Sequence, residues 1–280
     1  MNDREKYLYD IQGYLVVPNF LTPDEVDRLN ESFDNNIDKM TEDGNSNTGN
    51  SKALTTGRKR GLYSGMLAWE KPHCQPFRDL LVHQKSIPYL DTLFGRGWRM
   101  DHSPFALFSH KGDEGLILHG PGNDYFGLAA YHFKNGKIRT GMVVFQFQLA
   151  DVNPGDGGFC AVPGSHKSNF PLPHDIAIGE ANQDLVVNVS CKKGDLLIFD
   201  EATTHGTLPW KAEHQRRSLL YRYSPHYLHY AGGYHETTFP EWVSELTDAQ
   251  RAVMEPPYHY NRALVEPDGV TVVVKPTAGT

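Results

Sequence analysis

The stretch Gly194-Asp195-Leu196-Leu197-Ile198-Phe199-Asp200-Glu201-Ala202-Thr203-Thr204-His205-Gly206 decides the reading of this chain. A Gly-Asp turn launches an apolar run with the length of a buried strand, and the run delivers a histidine followed by glycine. Eleven residues later Arg216-Arg217-Ser218 opens another β-rich run. Upstream, Leu116-Ile117-Leu118-His119-Gly120 brings a second histidine to a strand end. Two neutral imidazoles on the rim of one barrel, joined by a carboxylate, make a facial triad. Such a triad holds iron(II) and leaves positions open.

Working outward, short strand-like runs dominate the middle of the chain. Trp98–Asp101, Phe105–Phe108 and Gly115–Leu118 are apolar runs separated by Gly, Pro and Asp. Thr140–Val152 reads as one long strand, with Val143, Phe145, Phe147 and Leu149 alternating against Met142, Val144, Gln146 and Gln148. The turn Asn153-Pro154-Gly155-Asp156-Gly157 follows, then strands over Phe159–Val162, Val186–Val189, Asp195–Phe199 and Ser218–Tyr223. Helices flank this series. Thr22-Pro23-Asp24-Glu25 is a capping box with proline at the first helical position, and Val26, Leu29, Phe33 and Ile37 follow at helical spacing. A second helix is expected over 86–95 and another over 240–254. Residues 41–60, rich in Thr, Gly, Asn, Ser and Lys, read as a long mobile loop, a candidate lid. Its Lys52, Arg58, Lys59 and Arg60 read as a solvated basic cluster rather than an anion-binding lid. The pattern predicts a mainly β barrel or sandwich with helices packed on one side. It also predicts a single domain over 1–280: helical support to about 96, a β core over about 97–225, and a C-terminal helix and tail from 226.

Composition excludes several classes. The 280 residues carry a net charge of −7, which argues against a nucleic-acid binder. No apolar run is long enough for a transmembrane helix, and the polar start Met1-Asn2-Asp3-Arg4-Glu5-Lys6 does not read as a signal peptide. Cys74, Cys160 and Cys191 are three widely spaced cysteines, expected as buried free thiols in a reducing cytoplasm.

The stretch Leu149–Phe170, with its Asn153-Pro154-Gly155-Asp156-Gly157-Gly158 turn and Pro163-Gly164-Ser165-His166 segment, resembles the signature of phytanoyl-CoA dioxygenase-like proteins. His205-Gly206-Thr207 matches that family's distal metal-binding histidine, and Arg216-Arg217-Ser218 resembles its Arg-x-Ser element. Gly13-Tyr14-Leu15-Val16-Val17-Pro18 and the capped helix after it look like the family's start. The similarity spans about residues 7–230. It implies a mainly β, double-stranded β-helix (jelly-roll or cupin-like) core with flanking α-helices, and an iron(II)- and 2-oxoglutarate-dependent dioxygenase acting on a small organic substrate with dioxygen. His119 and His205 would bind the metal. Arg216 would bind the far carboxylate of 2-oxoglutarate, with Ser218 beside it; a planar guanidinium suits a carboxylate because it pairs in two-pronged fashion.

One departure bears on the metal. The family shows His-x-Asp at the first metal position, whereas this chain has His119-Gly120-Pro121. Glu201, four residues before His205, is the first candidate for the third ligand, then Asp124, then an empty position as in the related iron halogenases. A further alternative replaces His119 by His132, which reads instead as an exposed residue of a hairpin turning at Asn135-Gly136. His166 reads as structural. Gln146 and Gln148 face either the barrel or an open edge. Pro209-Trp210 either wall the site or pack. Gly155, Gly157 and Gly158 form a turn, since no Lys-Ser/Thr follows to make a phosphate loop. Besides hydroxylation, the sequence leaves open a halogenase-like reaction and a non-catalytic small-acid-binding barrel.

Overall fold

The computed structural model describes residues 1–120, 130–229, 239–257 and 262–274. Its elements are helix α1 (Asp3–Gln12), strand β1 (Tyr14–Val17), α2 (Pro23–Asp34), β2 (Thr41–Glu42), β3 (Gly61–Ser64), α3 (Gln75–Leu80), α4 (Ile87–Phe94), β4 (Arg99–Ser109), β5 (Leu116–His119), β6 (Tyr131–Lys134), β7 (Lys137–Thr140), β8 (Val143–Gln148) and β9 (Gly158–Ala161). There follow α5 (His174–Ala177), β10 (Val187–Asn188), β11 (Leu196–Asp200), β12 (His205–Leu208), β13 (Arg216–Ser224) and α6 (Asp248–Met254).

A seven-stranded sheet in the order β1-β11-β8-β13-β4-β3-β2 faces a four-stranded sheet, β10-β9-β12-β5. All their pairings are antiparallel. This is the double-stranded β-helix that the family resemblance implies. Alternation on β8 shows how the layers form. Val143, Phe145 and Phe147 pack on the helical side, with Phe33, Phe77 and Leu90 from α2, α3 and α4. Val144 points between the sheets with Leu197, Phe199, Phe159 and Leu220. Both faces of β8 are therefore buried, which is why its sequence is apolar on both faces apart from two glutamines.

The capping box at Thr22 forms as its sequence predicts, and Val26, Leu29 and Phe33 are buried. Phe33 meets Tyr63, Phe77 and Phe108 at ring-centroid distances of 4.8–5.0 Å. Deleting such a buried ring costs about 3–5 kcal/mol. Ile37 is not part of that face: α2 stops at Asp34, and Ile37 is 67% exposed in the following turn. The expected long strand over 140–152 is also divided, β7 ending at Thr140 and β8 starting at Val143. Helix α1 escaped the sequence reading, although Asn2 and Glu5 form the same reciprocal cap as Thr22 and Glu25.

Residues 43–60 are pinned rather than loose. The Ile117 N–H donates to the Asn47 carbonyl (2.9 Å), Gly115 to Leu54 (2.9 Å) and Glu114 to Arg58 (2.8 Å). These bonds tie the segment to the edge strand β5 at Ile117 and to the two residues leading into it. The three cysteines are buried and free. Among the described residues no helix is long and apolar enough to cross a membrane.

Candidate active site

Strand β11 ends at Asp200, and the turn 201–204 carries the chain from the larger sheet to the smaller one, where His205 opens β12. His205 therefore does not end the apolar strand that precedes it; it starts the next. The turn is fixed by its own bonds. Ala202 N–H donates to the Asp200 carboxylate (3.0 Å), Thr203 N–H to the Asp200 carbonyl (2.9 Å), and Thr203 Oγ1 to the Gly13 carbonyl (3.0 Å).

In the smaller sheet His205 is the register partner of His119 on β5, and the two rings lie 4.3 Å apart. Gly206 permits this approach: a Cβ there would stand 2.7 Å from the Leu116 carbonyl oxygen. Each ring is oriented by the backbone. His205 Nδ1 lies 2.6 Å from the Thr203 carbonyl and His119 Nδ1 lies 3.1 Å from the Ile117 carbonyl. A carbonyl only accepts, so Nδ1 carries a proton in both rings, and in the neutral imidazole Nε2 is the nitrogen left with the lone pair. Burial pushes the His205 imidazole down to about 4, with His119 as the next cause, which keeps it neutral at pH 7. Phe159 and Phe199 flank it at 5.9 and 4.8 Å.

These histidines line a cavity of about 310 Å³ between the sheets, together with Glu201, Gln146, Arg60, Arg216 and Arg222. Glu201 Oε2 stands 3.9 Å from His205 Nε2, too far for a hydrogen bond. Among the described residues no three His, Cys, Asp or Glu side chains are gathered into a ready-made metal cluster. The pair of imidazoles is in place and Glu201 stands just outside it. Asp124 and Pro121 lie outside the described residues.

Arg216, the first residue of β13, is 2% exposed. Its Nε and Nη1 have no hydrogen-bond partner. Burial, then the neighbouring Arg60 charge, pushes it down to about 9, so it stays cationic at neutral pH. Gly158 on β9 makes room for it, since a Cβ there would lie 3.0 Å from Arg216 Nε. Ser218 shares the inward face, but its hydroxyl donates to Gln148 Oε1 (3.1 Å) and it does not line the cavity. The two glutamines of β8 thus divide: Gln148 holds Ser218, while Gln146 faces the cavity with its amide nitrogen unpartnered.

Arg60 corrects the expectation of a solvated cluster. Lys52, Arg58 and Lys59 are exposed, but Arg60 is 3% exposed. It forms an ion pair with Asp43 (2.8 Å) and donates to Thr207 Oγ1 (3.2 Å). Arg222, unremarked in the sequence, also lines the cavity. The alternation that places Arg216 on the inner face places Arg222 there too, six residues on.

His132 lies on the β6–β7 hairpin, which turns at Asn135-Gly136 and borders a separate open cleft of about 930 Å³, away from the two facing histidines. His166 is buried, packs edge-on against Tyr131 and meets the Asp10 carbonyl at 3.0 Å. Trp210 packs, donating its indole N–H to the His214 carbonyl (2.7 Å).

Comparison with solved structures supports the fold. HygX from Streptomyces hygroscopicus, solved with nickel and 2-oxoglutarate bound, is 23% identical with a TM-score of 0.64, covering 80% of this chain and 87% of HygX. SnoN, an α-ketoglutarate-dependent epimerase from nogalamycin biosynthesis, is 19% identical with a TM-score of 0.57, covering 85% and 93%. SnoK, a carbocyclase from the same pathway, is 16% identical with a TM-score of 0.55, covering 80% and 84%. No match is found among curated proteins. The family model for phytanoyl-CoA dioxygenase matches residues 9–218, about three quarters of the chain, and the protein therefore belongs to the phytanoyl-CoA dioxygenase (PhyH) family of iron- and 2-oxoglutarate-dependent enzymes.

Proposed function

We propose that the protein is a single-domain dioxygenase that uses iron(II) and 2-oxoglutarate to hydroxylate a small organic molecule. One observation carries this reading: a single cavity holds two imidazole lone pairs and a buried guanidinium with two unpartnered N–H groups. The donor set fits the cofactors. His119 and His205 would hold the iron with Glu201 as the carboxylate, and Arg216 would pair with the far carboxylate of 2-oxoglutarate. When bound, iron(II) and 2-oxoglutarate supply dioxygen activation coupled to oxidative decarboxylation.

The chain's own residues prepare that chemistry. Neutral His205 offers a lone pair without first losing a proton. Arg216 is desolvated before any ligand arrives, so a carboxylate reaching it gains a two-pronged, charge-assisted contact at little reorganisation cost. Phe159 and Phe199 keep water from one side of His205. Gln146 has an amide N–H free for an oxygen of the cosubstrate or substrate. Ser218 and Gln148 brace the wall beside Arg216.

The test is an anaerobic titration with iron(II), then 2-oxoglutarate, watched for the visible metal-to-ligand charge-transfer band. Wild type should show the band. His205→Ala should abolish it, and Arg216→Ala should require far more 2-oxoglutarate. An iron-loaded wild type that gives no band and consumes no 2-oxoglutarate sinks the reading.

A halogenase-like reaction is the second reading. It is favoured by Gly120-Pro121 after His119 and by the lack of a gathered three-ligand cluster among the described residues. Product formation that requires chloride would select it.

A further inference from the structure

From the cavity wall, a continuous line of charged side chains runs away from the site. Glu201 Oε1 lies 3.4 Å from Arg222 Nε, an ion pair without hydrogen-bond geometry, since Nε has no hydrogen-bond partner among the described residues. Arg222 Nη1 meets His102 Nε2. His102 Nδ1 lies 3.1 Å from Asp101 Oδ2. The other oxygen of Asp101 accepts from Arg99 Nη1 and from Ser224 Oγ, both at 3.2 Å. The direction of each bond is fixed by chemistry. Arginine only donates, so His102 Nε2 is the acceptor and its proton sits on Nδ1, facing the carboxylate of Asp101. His102 thus sits as a wedge between a guanidinium and a carboxylate.

The backbone is irregular at this place. Leu220 pairs with Phe105, Arg222 with His102 and Tyr223 with Met100, so the register slips on both sides of the Arg222–His102 pair. Each slip places an extra residue in β4. Successive residues of a regular strand face opposite sides, whereas bulges re-aim side chains and concentrate beside active sites. Here the two slips let neighbouring Asp101 and His102 enter one network. The Arg222 guanidinium also rests over the Phe105 ring at 4.7 Å.

Glu201 sits in a turn rather than on a strand and has several rotatable bonds. Holding its carboxylate in one place costs rotamer entropy unless an anchor already does so. We propose that Arg222 is that anchor. Clamped from behind by His102 and Asp101, Arg222 is a positioning residue that holds Glu201 Oε1 so that Oε2 faces the His119–His205 pair. The inference deepens the reading of Glu201 as the metal-holding carboxylate and rests on it. Outer partners that orient ligating side chains tune metal affinity roughly 10–100-fold.

The experiment is a cobalt(II) titration of the full-length apo-protein, read by calorimetry and by the ligand-field absorption of the bound metal. It compares wild type, Glu201→Gln, Arg222→Met, Arg222→Lys and the Glu201→Gln/Arg222→Met double variant. Arg222→Met should weaken cobalt binding roughly 10–100-fold and change the ligand-field spectrum. Arg222→Lys should recover part of the loss. The double variant should bind no more weakly than Glu201→Gln alone, because the two residues act through one contact. If Glu201→Gln weakens binding but Arg222→Met binds as well as wild type or better, Arg222 does not position the carboxylate, and the ligand reading stands without it. If Glu201→Gln itself binds like wild type, the reading of Glu201 as a ligand fails first. Should Arg222→Met not unfold cooperatively, Arg222→Lys and His102→Gln carry the same comparison: wild-type cobalt affinity in both overturns the proposal.

Discussion

At one end of the cavity Arg216 is buried with two N–H groups that find no acceptor among the described residues. At the other end Glu201, Arg222, His102, Asp101 and Arg99 form a chain of contacts from the cavity into the protein. The ends carry similar groups and solve the problem of a buried charge differently. A charge withdrawn from water must find a partner or destabilise the fold. At the Glu201 end the half-buried Glu201 and Arg222 form an ion pair within the chain, although Arg222 Nε makes no hydrogen bond among the described residues. On the reading proposed above, the Arg216 end would be satisfied only by a bound anion, and part of its desolvation cost would be recovered on binding. Arg60 makes the contrast sharper. It is as buried as Arg216 and close enough to influence it, yet it is paired with Asp43.

The largest expected effect tests whether Arg216 is held in reserve for a ligand. Arg216→Met should weaken 2-oxoglutarate binding roughly 100- to 1,000-fold, the range for removing one partner of a buried charged contact. The same change should leave the ligand-free protein as stable as wild type or more so, because it removes an uncompensated buried charge. Calorimetry and urea unfolding read the two quantities. A ligand-free variant that is clearly less stable would mean that Arg216 has a structural partner and that the contrast is false.

Asp43→Ala should do the reverse. It leaves Arg60 buried without its acid and should cost about 3 kcal/mol of folding stability. Affinity for 2-oxoglutarate should not fall, since the change adds uncompensated positive charge near Arg216. Unfolding by urea with and without 2-oxoglutarate measures both. A loss of affinity as large as that in Arg216→Met would make Arg60 a direct cosubstrate contact.

The same contrast separates what the sequence reveals from what it hides. Arg216 is legible because it opens a strand at a fixed distance after His205, and strand alternation gives it an inward face. That alternation also reaches Arg222, where the sequence reading stopped too soon. Arg60 is hidden because its neighbours Lys52, Arg58 and Lys59 do face solvent. Its burial depends on Asp43, 17 residues earlier, and on Thr207 in the far sheet. The bulges around His102 are equally hidden, since they are a property of how β4 pairs with β13. The third metal ligand stays open for a simpler reason: proline occupies the position of the family's acid. The break between β7 and β8 falls at Gly141, within a run that alternation alone reads as continuous. The central strands, in contrast, are legible, because burial demands apolar runs with short polar turns between them; strands β2 and β3 at the edge of the larger sheet and the short β12 are not, since they carry no such run.

The smallest expected effect comes from Gly158→Ala, which probes how closely the scaffold fits around Arg216. Gly158 has φ +78°, a left-handed conformation that costs an alanine about 1 kcal/mol. The added Cβ would lie 3.0 Å from Arg216 Nε and 3.3 Å from Cδ, so the long side chain must give way by a few tenths of an ångström. Stability should fall by about 1 kcal/mol and 2-oxoglutarate affinity by roughly 3- to 10-fold, since a displaced guanidinium keeps its charge but loses alignment with the carboxylate. Cobalt binding at the Glu201 end should be unchanged. If affinity for 2-oxoglutarate holds while stability drops, Arg216 has room to adapt and acts mainly as a buried point charge. If both ends weaken together, strand β9 couples them through its pairing with β12, and the two ends are not independent.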